Sequence, residues 1–555
     1  MLKNNYNSVS VLIVGAGPAG LSAAIQLKTL KPKLDVCVIE KAADLGNHNL
    51  SGAVLEAKAL HTLLDSALPG WQQTDSAKDV LAAKVDKHSI LFLLGKKLAF
   101  NVLFAIRLAK TLGLGPGQMI HQGDYSVSIS KLTKWLGQIA RQLGVEVLTG
   151  FASQDIILNH SGNLVTGVKL VDQGLDKQGA RLPNFLEGET INAQFVILAE
   201  GCDGLVTEKF VEKAGLQRQS PQLFSLGVKE LIKVSSEQYK KFGHGRVVHA
   251  MGFPIWTPLI GPAMFGGGII YAGLPDHLAV GMIVGADWKY CDFNPQDALT
   301  NFKQHKFVSQ FIEGGTVVEA GAKMIPEGGY YAIPRDPQTG SIGKGNCLIL
   351  GDSAGFVNML KIKGLHNAIE SGIIAAKAID QAFDNCENTA ALFTELIEKS
   401  NIEKEMHPAR NFRQTIAMFG PTLGFPLSVL GGLLPKFKVE PDYKAMTIAQ
   451  YRLKGDLKFD KDNFTAMAAT EHREEQPSHL TILNRSTCEQ KCTPTFNSPC
   501  ITFCPAGVYE NINGQVKPAN PSNCLHCKTC QRKCPFDNIR WTCPEGTGGP
   551  HYKRM

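Results

Sequence analysis

"VSVLIVGAGPAGLSAAIQL", residues 9–27, runs from a short apolar strand through a glycine-rich turn into helix-forming residues. Gly15, Gly17 and Gly20 stand in this turn at G-x-G-x-x-G spacing. The first glycine permits the tight turn, the second lets the backbone approach a pyrophosphate, and the third allows the helix to pack closely on the strand. A second apolar strand ends at Glu40, twenty residues after Gly20, where a carboxylate can accept from a ribose 2′-hydroxyl. The stretch therefore predicts a Rossmann-like α/β domain that binds a dinucleotide.

Two later stretches favour FAD over NAD as that dinucleotide. "FVILAEGCDG" (195–204) is an apolar strand that ends in a turn of small residues, and "NCLILGDSAGF" (346–356) is a strand that ends in Gly351-Asp352. In two-part flavoproteins such a Gly-Asp element returns the chain to the first domain, where the Asp meets the ribityl chain. Gly364 would then open a helix whose positive end faces the flavin ring. Taken alone, Asp352 fits a helix N-cap equally well, and the two flavin-like stretches favour the flavin role.

The cysteines are concentrated at one end of the chain, because nine of the fourteen lie in the last 68 residues. Cys524, Cys527, Cys530 and Cys534 form a C-x2-C-x2-C-x3-C-P run, the spacing of bacterial ferredoxins. Structural zinc usually joins two C-x2-C pairs across a longer spacer, and disulfides would require an oxidising compartment. We therefore predict a [4Fe–4S] cluster ahead of zinc, and zinc ahead of disulfides.

The fourth ligand of this cluster has two candidates. In two-cluster ferredoxins the cysteine before the proline serves the other cluster, which favours Cys504 of the upstream Cys504-Pro505 pair over Cys534. By the same crossed logic, Cys534 would join a second group of three cysteines whose spacings, x3 and x7, are loose for a ferredoxin. This group is Cys488, Cys492 and Cys500. The number of clusters stays open at this point.

Length and composition indicate a folded chain of several domains. The 555 residues exceed what one hydrophobic core organises, and the apolar (44%) and charged (19%) fractions are ordinary for globular proteins. The net charge of +7 comes without a dense block of lysines and arginines, so it favours an anionic membrane surface or an acidic partner and argues against nucleic acid.

The predicted segments are a first part of the FAD domain at 1–215, a mostly antiparallel sheet domain at 216–345, the return to the FAD domain with a helical segment at 346–480, and an iron–sulfur domain at 481–555.

Two apolar stretches predict contact with a membrane. Residues 90–115 are rich in Leu and Phe but contain four basic residues, which suits a basic amphipathic helix at an interface. Residues 414–435 carry no charge, and Pro421 and Pro426 argue against a straight spanning helix. Each stretch alone fits a buried core segment, and together they favour shallow, peripheral contact. No export signal or transit peptide precedes the first strand, so we expect the cytoplasmic face of the inner membrane if the protein is bacterial.

These motifs together resemble the electron transfer flavoprotein–ubiquinone oxidoreductase family nearly end to end. The resemblance implies a two-part FAD-binding fold of the Rossmann-like GR2 type, an antiparallel-sheet quinone-binding domain and a C-terminal ferredoxin-like domain. It implies one [4Fe–4S] cluster on Cys504, Cys524, Cys527 and Cys530, and a quinone head near Gly266 and Gly267. The matching stretches are "VLIVGAGPAGLSAAIQL", "HNLSGAVL", "AEGCDG", "GFVNMLKIKGLHNAIESG", "CPAGVYE", "NCLHCKTC" and "PEGTGGP".

The expected activity is therefore electron transfer without an acid, base or nucleophile from the protein. Reduced electron transfer flavoprotein would deliver electrons that pass through the cluster and FAD to ubiquinone, or to another membrane quinone. An FAD-dependent hydroxylase or prenyl reductase is the alternative, because such enzymes share the glycine motif, the Asp203-Gly204 turn and the late Gly-Asp element. A further alternative is an iron–sulfur electron carrier that is not an enzyme. Its flavin-type domain would serve only as a scaffold, and the protein would contain no flavin.

Overall fold

The computed structural model describes residues 8–50, 52, 54–113, 118–259, 261–451, 453 and 459–555. Two seven-stranded sheets and a cysteine-rich C-terminal region organise these residues. The mixed α/β and α+β fold class predicted above, with a Rossmann-like sheet, a second sheet domain and a separate cysteine-rich C-terminal region, is confirmed.

The first sheet carries the glycine motif. Its strands are β1 (Ser8–Val14), β2 (Val36–Glu40), β8 (Glu146–Thr149), β9 (Ser153–Leu158), β10 (Val165–Leu170), β13 (Thr190–Leu198) and β19 (Cys347–Ile349). The order is β8-β2-β1-β13-β10-β9, with β19 also paired to β13. β8, β2, β1, β13 and β19 run parallel, and β10 and β9 continue the sheet antiparallel. The parallel strands read as near-continuous Val, Ile and Leu because helices bury both of their faces.

Helices cover this sheet and close it around the glycine turn. They are α1 (Pro18–Leu30), α2 (Lys58–Ala67), α3 (Asp75–Val80), α5 (Ile129–Gln142), α6 (Leu205–Lys213), α10 (Gly351–Ala354), α11 (Leu365–Gln381), α12 (Thr389–Glu398) and α13 (Asn401–Met406). α11 packs tightly on α1, because a Cβ at Gly372 would lie 2.4 Å from the carbonyl oxygen of Ala19. The late part of the chain thus returns to the first part, which brings α10 and the start of α11 beside the glycine turn.

The second sheet stands beside the first. Its strands are β5 (Lys87–Leu94), β6 (Leu98–Asn101), β14 (Phe224–Lys233), β15 (Arg246–Gly252), β16 (Gly266–Leu274), β17 (His277–Gly285) and β18 (Thr316–Pro326), in the order β18-β14-β17-β16-β15-β5-β6. Its helices are α4 (Leu103–Thr111), α7 (Ser236–Phe242), α8 (Pro295–Gln304) and α9 (Lys306–Ile312). Smaller pairings are β3 (Val54–Leu55) and β4 (Ala83–Lys84) on either side of β7 (Tyr125–Ser126), and the hairpin of β11 (Gln173–Leu175) with β12 (Arg181–Leu186).

The expectation of one amphipathic helix over residues 90–115 is wrong. The stretch forms the end of β5, then β6, and only then the short helix α4, while residues 114 and 115 lie outside the described residues. Gly95 adopts a left-handed φ of 58°, which permits the tight turn between the two strands. β5 also pairs in parallel with β15, so residues assigned to the first segment complete the sheet of the second.

The C-terminal region shares the core of the second sheet. The Trp288 and Phe503 rings lie 6.0 Å apart, and the Lys533 ammonium donates to the Trp288 carbonyl oxygen at 2.6 Å. Its elements are α15 (Lys461–Met467), β20 (Leu480–Ile482), α16 (Arg485–Thr487), a π-helical turn (Cys488–Cys492), α17 (Thr493–Phe496), α18 (Pro499–Phe503), β21 (Tyr509–Ile512), β22 (Gln515–Pro518), α19 (Thr529–Lys533) and β23 (Ile539–Trp541). β20 pairs with β23, and β21 with β22.

The uncharged stretch 414–435 lies mainly in α14 (Phe412–Ser428). Gly420 interrupts this helix with φ 69° and ψ 170°, directly before Pro421. The break agrees with the sequence-based expectation that the stretch is no straight spanning helix. In the described part of the chain, no helix combines the length and the apolar character that crossing a bilayer requires.

Candidate cofactor-binding site

A cavity of about 320 Å³ lies where the two sheets and the C-terminal region meet. The glycine turn contributes Gly15 and Gly17, the second sheet contributes Lys323, and the C-terminal region contributes His526 and Lys528. This volume falls within the range of small-molecule sites, roughly 300–1,000 Å³. A ligand in the cavity would therefore touch all three parts of the molecule.

The glycine turn is shaped for a phosphate. Gly15 has a φ of 104°, and a Cβ there would lie 2.4 Å from the carbonyl oxygen of Ala199. A Cβ at Gly20 would lie 2.1 Å from the carbonyl oxygen of Gly15, so this glycine serves helix packing. Gly17 differs, because a Cβ there would meet nothing within 4 Å, and the turn is open toward the cavity. The N-terminus of α1 has no side-chain cap, which leaves its N–H groups for an anion.

Glu40 connects the ends of two strands at the edge of the cavity. One carboxylate oxygen accepts from the N–H of Ala16 and the other from the N–H of Ala42, each at 3.0 Å. Glu40 thereby holds the glycine turn against the end of β2 and lines the cavity. A partly exposed carboxylate at this position still has lone pairs for a ribose hydroxyl.

The late Gly-Asp element reaches the same cavity. Gly351 opens α10 with a φ of 53°, and a Cβ there would lie 3.1 Å from that of Ala19 on α1. Asp352 is half-buried and lines the cavity, and desolvation raises the pKa of the carboxyl group to about 6 against the opposing charge of Lys323. Gly364 lines the cavity too and begins α11, whose N-terminus lacks a side-chain cap. The structure therefore brings Gly15, Gly17, Glu40, Asp352 and Gly364 together, with Gly20 and Gly351 packed behind them.

The cysteine run surrounds a second, smaller cavity. Cys504, Cys524, Cys527 and Cys530 line a space of about 20 Å³, and each is at most 8% exposed. All four are free thiols, and burial raises the pKa of the Cys527 thiol to about 11. The Thr529 hydroxyl donates to Cys527 Sγ at 3.3 Å. His526 and Lys528 have φ values of 54° and 61°, which curl the loop around its cysteines. Four sulfurs that face one small space suit a compact iron–sulfur cluster.

Three family models match separate segments of the chain. The family model described as "Electron transfer flavoprotein-ubiquinone oxidoreductase, 4Fe-4S" matches residues 455–553, and "ETF-QO, ubiquinone-binding" matches residues 224–325. A third model, "NAD(P)-binding Rossmann-like domain", matches residues 13–82.

Full-length relatives decide the family. The mitochondrial electron transfer flavoprotein-ubiquinone oxidoreductase of Oryza sativa is 34% identical over 99% of this chain and 93% of its own length. The corresponding protein of Pseudomonas aeruginosa is 33% identical over 100% of both chains. This chain belongs to the electron transfer flavoprotein-ubiquinone oxidoreductase family. A geranylgeranyl bacteriochlorophyll reductase-like structure from Thermoplasma acidophilum, at 18% identity and a TM-score of 0.54 over 78% of this chain and 93% of its own, shares the fold.

The family's two cofactors, FAD and a [4Fe–4S] cluster, fit the two cavities. His48 lines the larger cavity with both ring nitrogens buried and, among the described residues, without a hydrogen-bonding partner. Burial and nearby lysines hold its pKa well below the usual value, so the ring is neutral and can donate to a polar ligand. The smaller cavity offers thiols alone as strong metal ligands, which suits iron–sulfur chemistry.

Gly266 and Gly267, which the sequence predicts to lie near a quinone head, are at the start of β16 and are not among the residues lining the larger cavity. A Cβ at Gly266 would lie 2.0 Å from the carbonyl oxygen of Ile283, and one at Gly267 would lie 2.2 Å from that of Ala250. Close strand packing therefore already requires glycine at both positions.

Exposed apolar side chains of this family member are concentrated in the two stretches that the sequence singled out. Among the described residues, eleven of the seventeen exposed large apolar residues lie within 94–112 or 418–433, including Phe104 (80% exposed) and Leu433 (88%), and Leu259 (95%) is a twelfth beside them in the count. Trp256 joins the two stretches, because its ring contacts Phe92 of β5 and stacks on Phe425 of α14. These residues, within 94–112, at 259 and within 418–433, are called the apolar surface below.

Sequence reasoning missed a lysine of the cavity wall and the grouping of three buried histidines outside the cavity lining. Lys323 lines the cavity from β18, and its burial lowers its pKa to about 8. His88, His121 and His249 are buried with ring nitrogens within 4.8 Å of one another. A lysine within a strand pattern and three histidines far apart in the chain carry no motif. The lysine within the otherwise apolar end of the stretch "EAGAKMIP" was the one signal available in the sequence.

Proposed function

We propose that this chain takes electrons from reduced electron transfer flavoprotein and passes them through a [4Fe–4S] cluster and FAD to ubiquinone at a membrane surface. The observation that carries the proposal is the shared wall between the two cavities. Lys528 lines both, and His526 of the same cysteine loop lines the larger one. A cluster on this loop would lie directly beside a flavin in the larger cavity. An FAD-dependent hydroxylase or prenyl reductase, which needs no such loop, is not favoured.

For FAD, we assign the pyrophosphate to the turn at Gly15 and Gly17, and the ribose to Glu40. Asp352 would meet the ribityl chain, and the uncapped N-terminus of α11 at Gly364 would face the ring. Gly20 and Gly351 act indirectly, because their lack of a side chain lets α1 approach the sheet and α10. The flavin exchanges one or two electrons and the cluster exchanges one, which joins a one-electron partner to a two-electron acceptor.

For the cluster, we assign Cys504, Cys524, Cys527 and Cys530 as ligands. Their burial excludes water, and the Thr529 hydroxyl stabilises the Cys527 thiolate by hydrogen bonding. The protein holds this loop in place through Asp203, which pairs with Arg532 and whose carbonyl oxygen accepts from Lys528. The loop is thus anchored to the FAD domain on both sides of Cys530.

For the quinone, we propose entry from the bilayer across the apolar surface toward Gly266 and Gly267. Phe265, the residue before them, packs against Phe425 of α14 at 5.9 Å between ring centroids. Arg413 at the start of α14 is fully buried and pairs with Glu327, which lines the cavity. α14 therefore connects the exposed apolar residues with the wall of the cofactor cavity.

These contacts support peripheral attachment, and we propose the cytoplasmic face of the inner membrane if the protein is bacterial. The apolar surface would enter the interface, with Lys96, Lys97, Arg107 and Lys110 beside it for anionic headgroups. Electron transfer flavoprotein would dock on the polar remainder, and nothing in the charge pattern calls for nucleic acid. The segment boundaries at 215, 345 and 480 stay predictions.

An anaerobic optical titration tests the proposal. The flavin absorbance of the detergent-solubilised protein should bleach with reduced electron transfer flavoprotein and recover when a ubiquinone analogue is added. Bleaching by a nicotinamide cofactor, with no recovery by quinone, would contradict it. Cys504→Ser should abolish the electron paramagnetic resonance signal of the assigned cluster, and the matched control Cys386→Ser should not. An unchanged signal in Cys504→Ser would make Cys534 the fourth ligand.

A further inference from the structure

We propose that this chain binds a second iron–sulfur cluster, held by Cys488, Cys492, Cys500 and Cys534. The matching family model names one 4Fe-4S domain in this region. The second site goes beyond the proposed function, and its crossed ligation rests on the assignment of Cys504 to the first cluster. Three independent observations carry it: an internal structural repeat, the convergence of the four thiols, and the spacing of their sulfurs.

The repeat consists of α18 and α19, two five-residue helices with the same design. The residue before each helix is left-handed (Ser498, φ 53°; Lys528, φ 61°), and the second helical residue is a cysteine. Each helix is followed by Cys-Pro with nearly identical backbone angles, φ −64° and ψ 119° at Cys504, and φ −60° and ψ 116° at Cys534. Since the C-x3-C-P of α19 helps to hold one cluster, the C-x3-C-P of α18 is built to do the same.

Crossed ligation follows from this repeat. In ferredoxins with two clusters, the cysteine before the proline of one half binds the cluster of the other half. Cys530 lies on α19 and lines the smaller cavity, whereas Cys534 directly follows the helix and is not among the residues that line this cavity. Cys530 belongs to the first quartet, which leaves Cys534 for a neighbouring site. Cys504 at the end of α18 completes the first quartet in the same way.

The remaining thiols converge on Cys534. Asn538 donates its main-chain N–H to Cys534 Sγ and its side-chain amide to Cys488 Sγ, each at 3.3 Å, so one residue holds both sulfurs. Burial first, and then the neighbouring thiols Cys492, Cys534 and Cys488, raise the pKa of Cys500 well above its usual value. Cys492, Cys500 and Cys534 are at most 8% exposed, and all four thiols are free. Amide donors to buried sulfurs stabilise the negative charge of a bound cluster.

The spacing of the sulfurs favours a cluster over a zinc ion. A tetrahedral Zn–S4 site with bonds of about 2.3 Å holds its sulfurs about 3.8 Å apart. In the part of the chain that the structure describes, three or more ligand atoms come within 4.8 Å of one another in two histidine groups and in neither cysteine quartet. Neither quartet thus has three sulfurs at the close mutual spacing of a single zinc site, which favours an iron–sulfur cluster over zinc.

The position of the second quartet gives it a role at the surface. Cys488 is partly exposed, and the residues between it and Cys492 are exposed, whereas the first quartet borders the FAD cavity. A cluster held by the second quartet would therefore lie close to solvent. An iron–sulfur cluster carries one electron at a time. A second cluster would therefore require no electron donor other than reduced electron transfer flavoprotein.

The test is a metal count on the anaerobically purified full chain. We expect about eight iron atoms and eight acid-labile sulfides per FAD, and a reduced electron paramagnetic resonance spectrum broadened by two interacting clusters. Cys492→Ala should lower the iron content about twofold and leave the simple spectrum of one cluster. Cys527→Ala should also halve the iron, and the control Cys291→Ala should retain all of it.

The wild-type count decides the matter even if a variant fails to fold. About four iron atoms per FAD in the wild type, unchanged in Cys492→Ala, would overturn the proposal, and so would one zinc ion beside four irons. Failure of the proposed function has a different signature, because the protein would then lack FAD or would not respond to reduced electron transfer flavoprotein, whatever its iron content.

Discussion

Asp203 should control the docking of the cysteine loop on the FAD domain. Its side chain is 2% exposed, pairs with the guanidinium of Arg532, and accepts from the amide of Gln531 at 3.3 Å. Burial alone would raise the pKa of this carboxyl, but the charges of Arg532 and Lys528 outweigh burial and hold it below the usual value. The group is therefore ionised in the folded protein and forms a buried ion pair.

The perturbation is Asp203→Asn, which removes the charge and keeps a residue that tolerates the left-handed φ of 56°. Breaking a buried ion pair costs about 3–5 kcal/mol. We take the lower end, about 3 kcal/mol, because the Arg532 side chain is 31% exposed and stays partly solvated. Since every 1.4 kcal/mol is tenfold, the loop should open about a hundred times more often.

Hydrogen–deuterium exchange measures this opening directly, because amides in the loop exchange when it leaves the FAD domain. Peptides covering 524–535 should exchange about a hundredfold faster in Asp203→Asn, while peptides of β1 and α1 should not change. The control Glu212→Gln removes an exposed carboxylate from the neighbouring helix α6 and should leave the loop unchanged. An exchange rate in Asp203→Asn within about threefold of the wild-type rate would refute the reasoning. It would mean that the substitution lowers the free energy of loop docking by less than about 1 kcal/mol.

Three further predictions concern the cofactor, the membrane and acid. Gly17→Val should lower the FAD content of the purified protein at least about tenfold without loss of far-ultraviolet circular dichroism, because the new side chain occupies the space proposed for the pyrophosphate. Leu433→Asp should weaken sedimentation with anionic liposomes about tenfold, because burying one leucine contributes about 1.5–3 kcal/mol. The control Leu186→Asp should have no effect, because Leu186 is also an exposed leucine but lies on the β11–β12 hairpin, outside the apolar surface. Burial opposes the shift at Glu405, but hydrogen bonding to His366 and nearby positive charge lower its pKa from 4.5 to about 2. The ionised carboxylate therefore stabilises the fold fully above pH 4.5, and this stabilisation is lost as the pH falls toward 2. Glu405→Gln should flatten the decline of the melting temperature between pH 5 and 3 by about 10 °C or less, and an unchanged decline would contradict this assignment.

The local motifs were readable because each has a physical task within a few residues. The turn at Gly15 and Gly20 cannot accommodate side chains, and Gly17 is open where a ligand is expected, as the spacing indicated. The cysteine run and Cys504 line one cavity, although 20 residues separate Cys504 from Cys524. The crossed pattern of ferredoxins supplied that long-range link, which composition alone could not.

Long-range pairing was not readable from the sequence. The Leu, Phe and basic residues of 90–115 suggested an amphipathic helix, yet β5 is fixed by its parallel partner β15, which lies about 160 residues later in the chain. Lys323 likewise enters the cavity only because β18 passes beside the first sheet. Gly266 and Gly267 illustrate the converse case, since strand packing explains both glycines without reference to a ligand. Register between distant strands decides such positions, and no local pattern encodes it.

Reoxidation of the fully reduced protein by ubiquinone tests the central claim most directly. Under anaerobic conditions, a ubiquinone analogue is mixed with dithionite-free, reduced protein, and flavin absorbance and iron–sulfur resonance are followed on the same sample. The account predicts that both signals return to the oxidised state together, because the cysteine loop borders the flavin cavity. Reoxidation of the flavin with the iron–sulfur signal left reduced would contradict it.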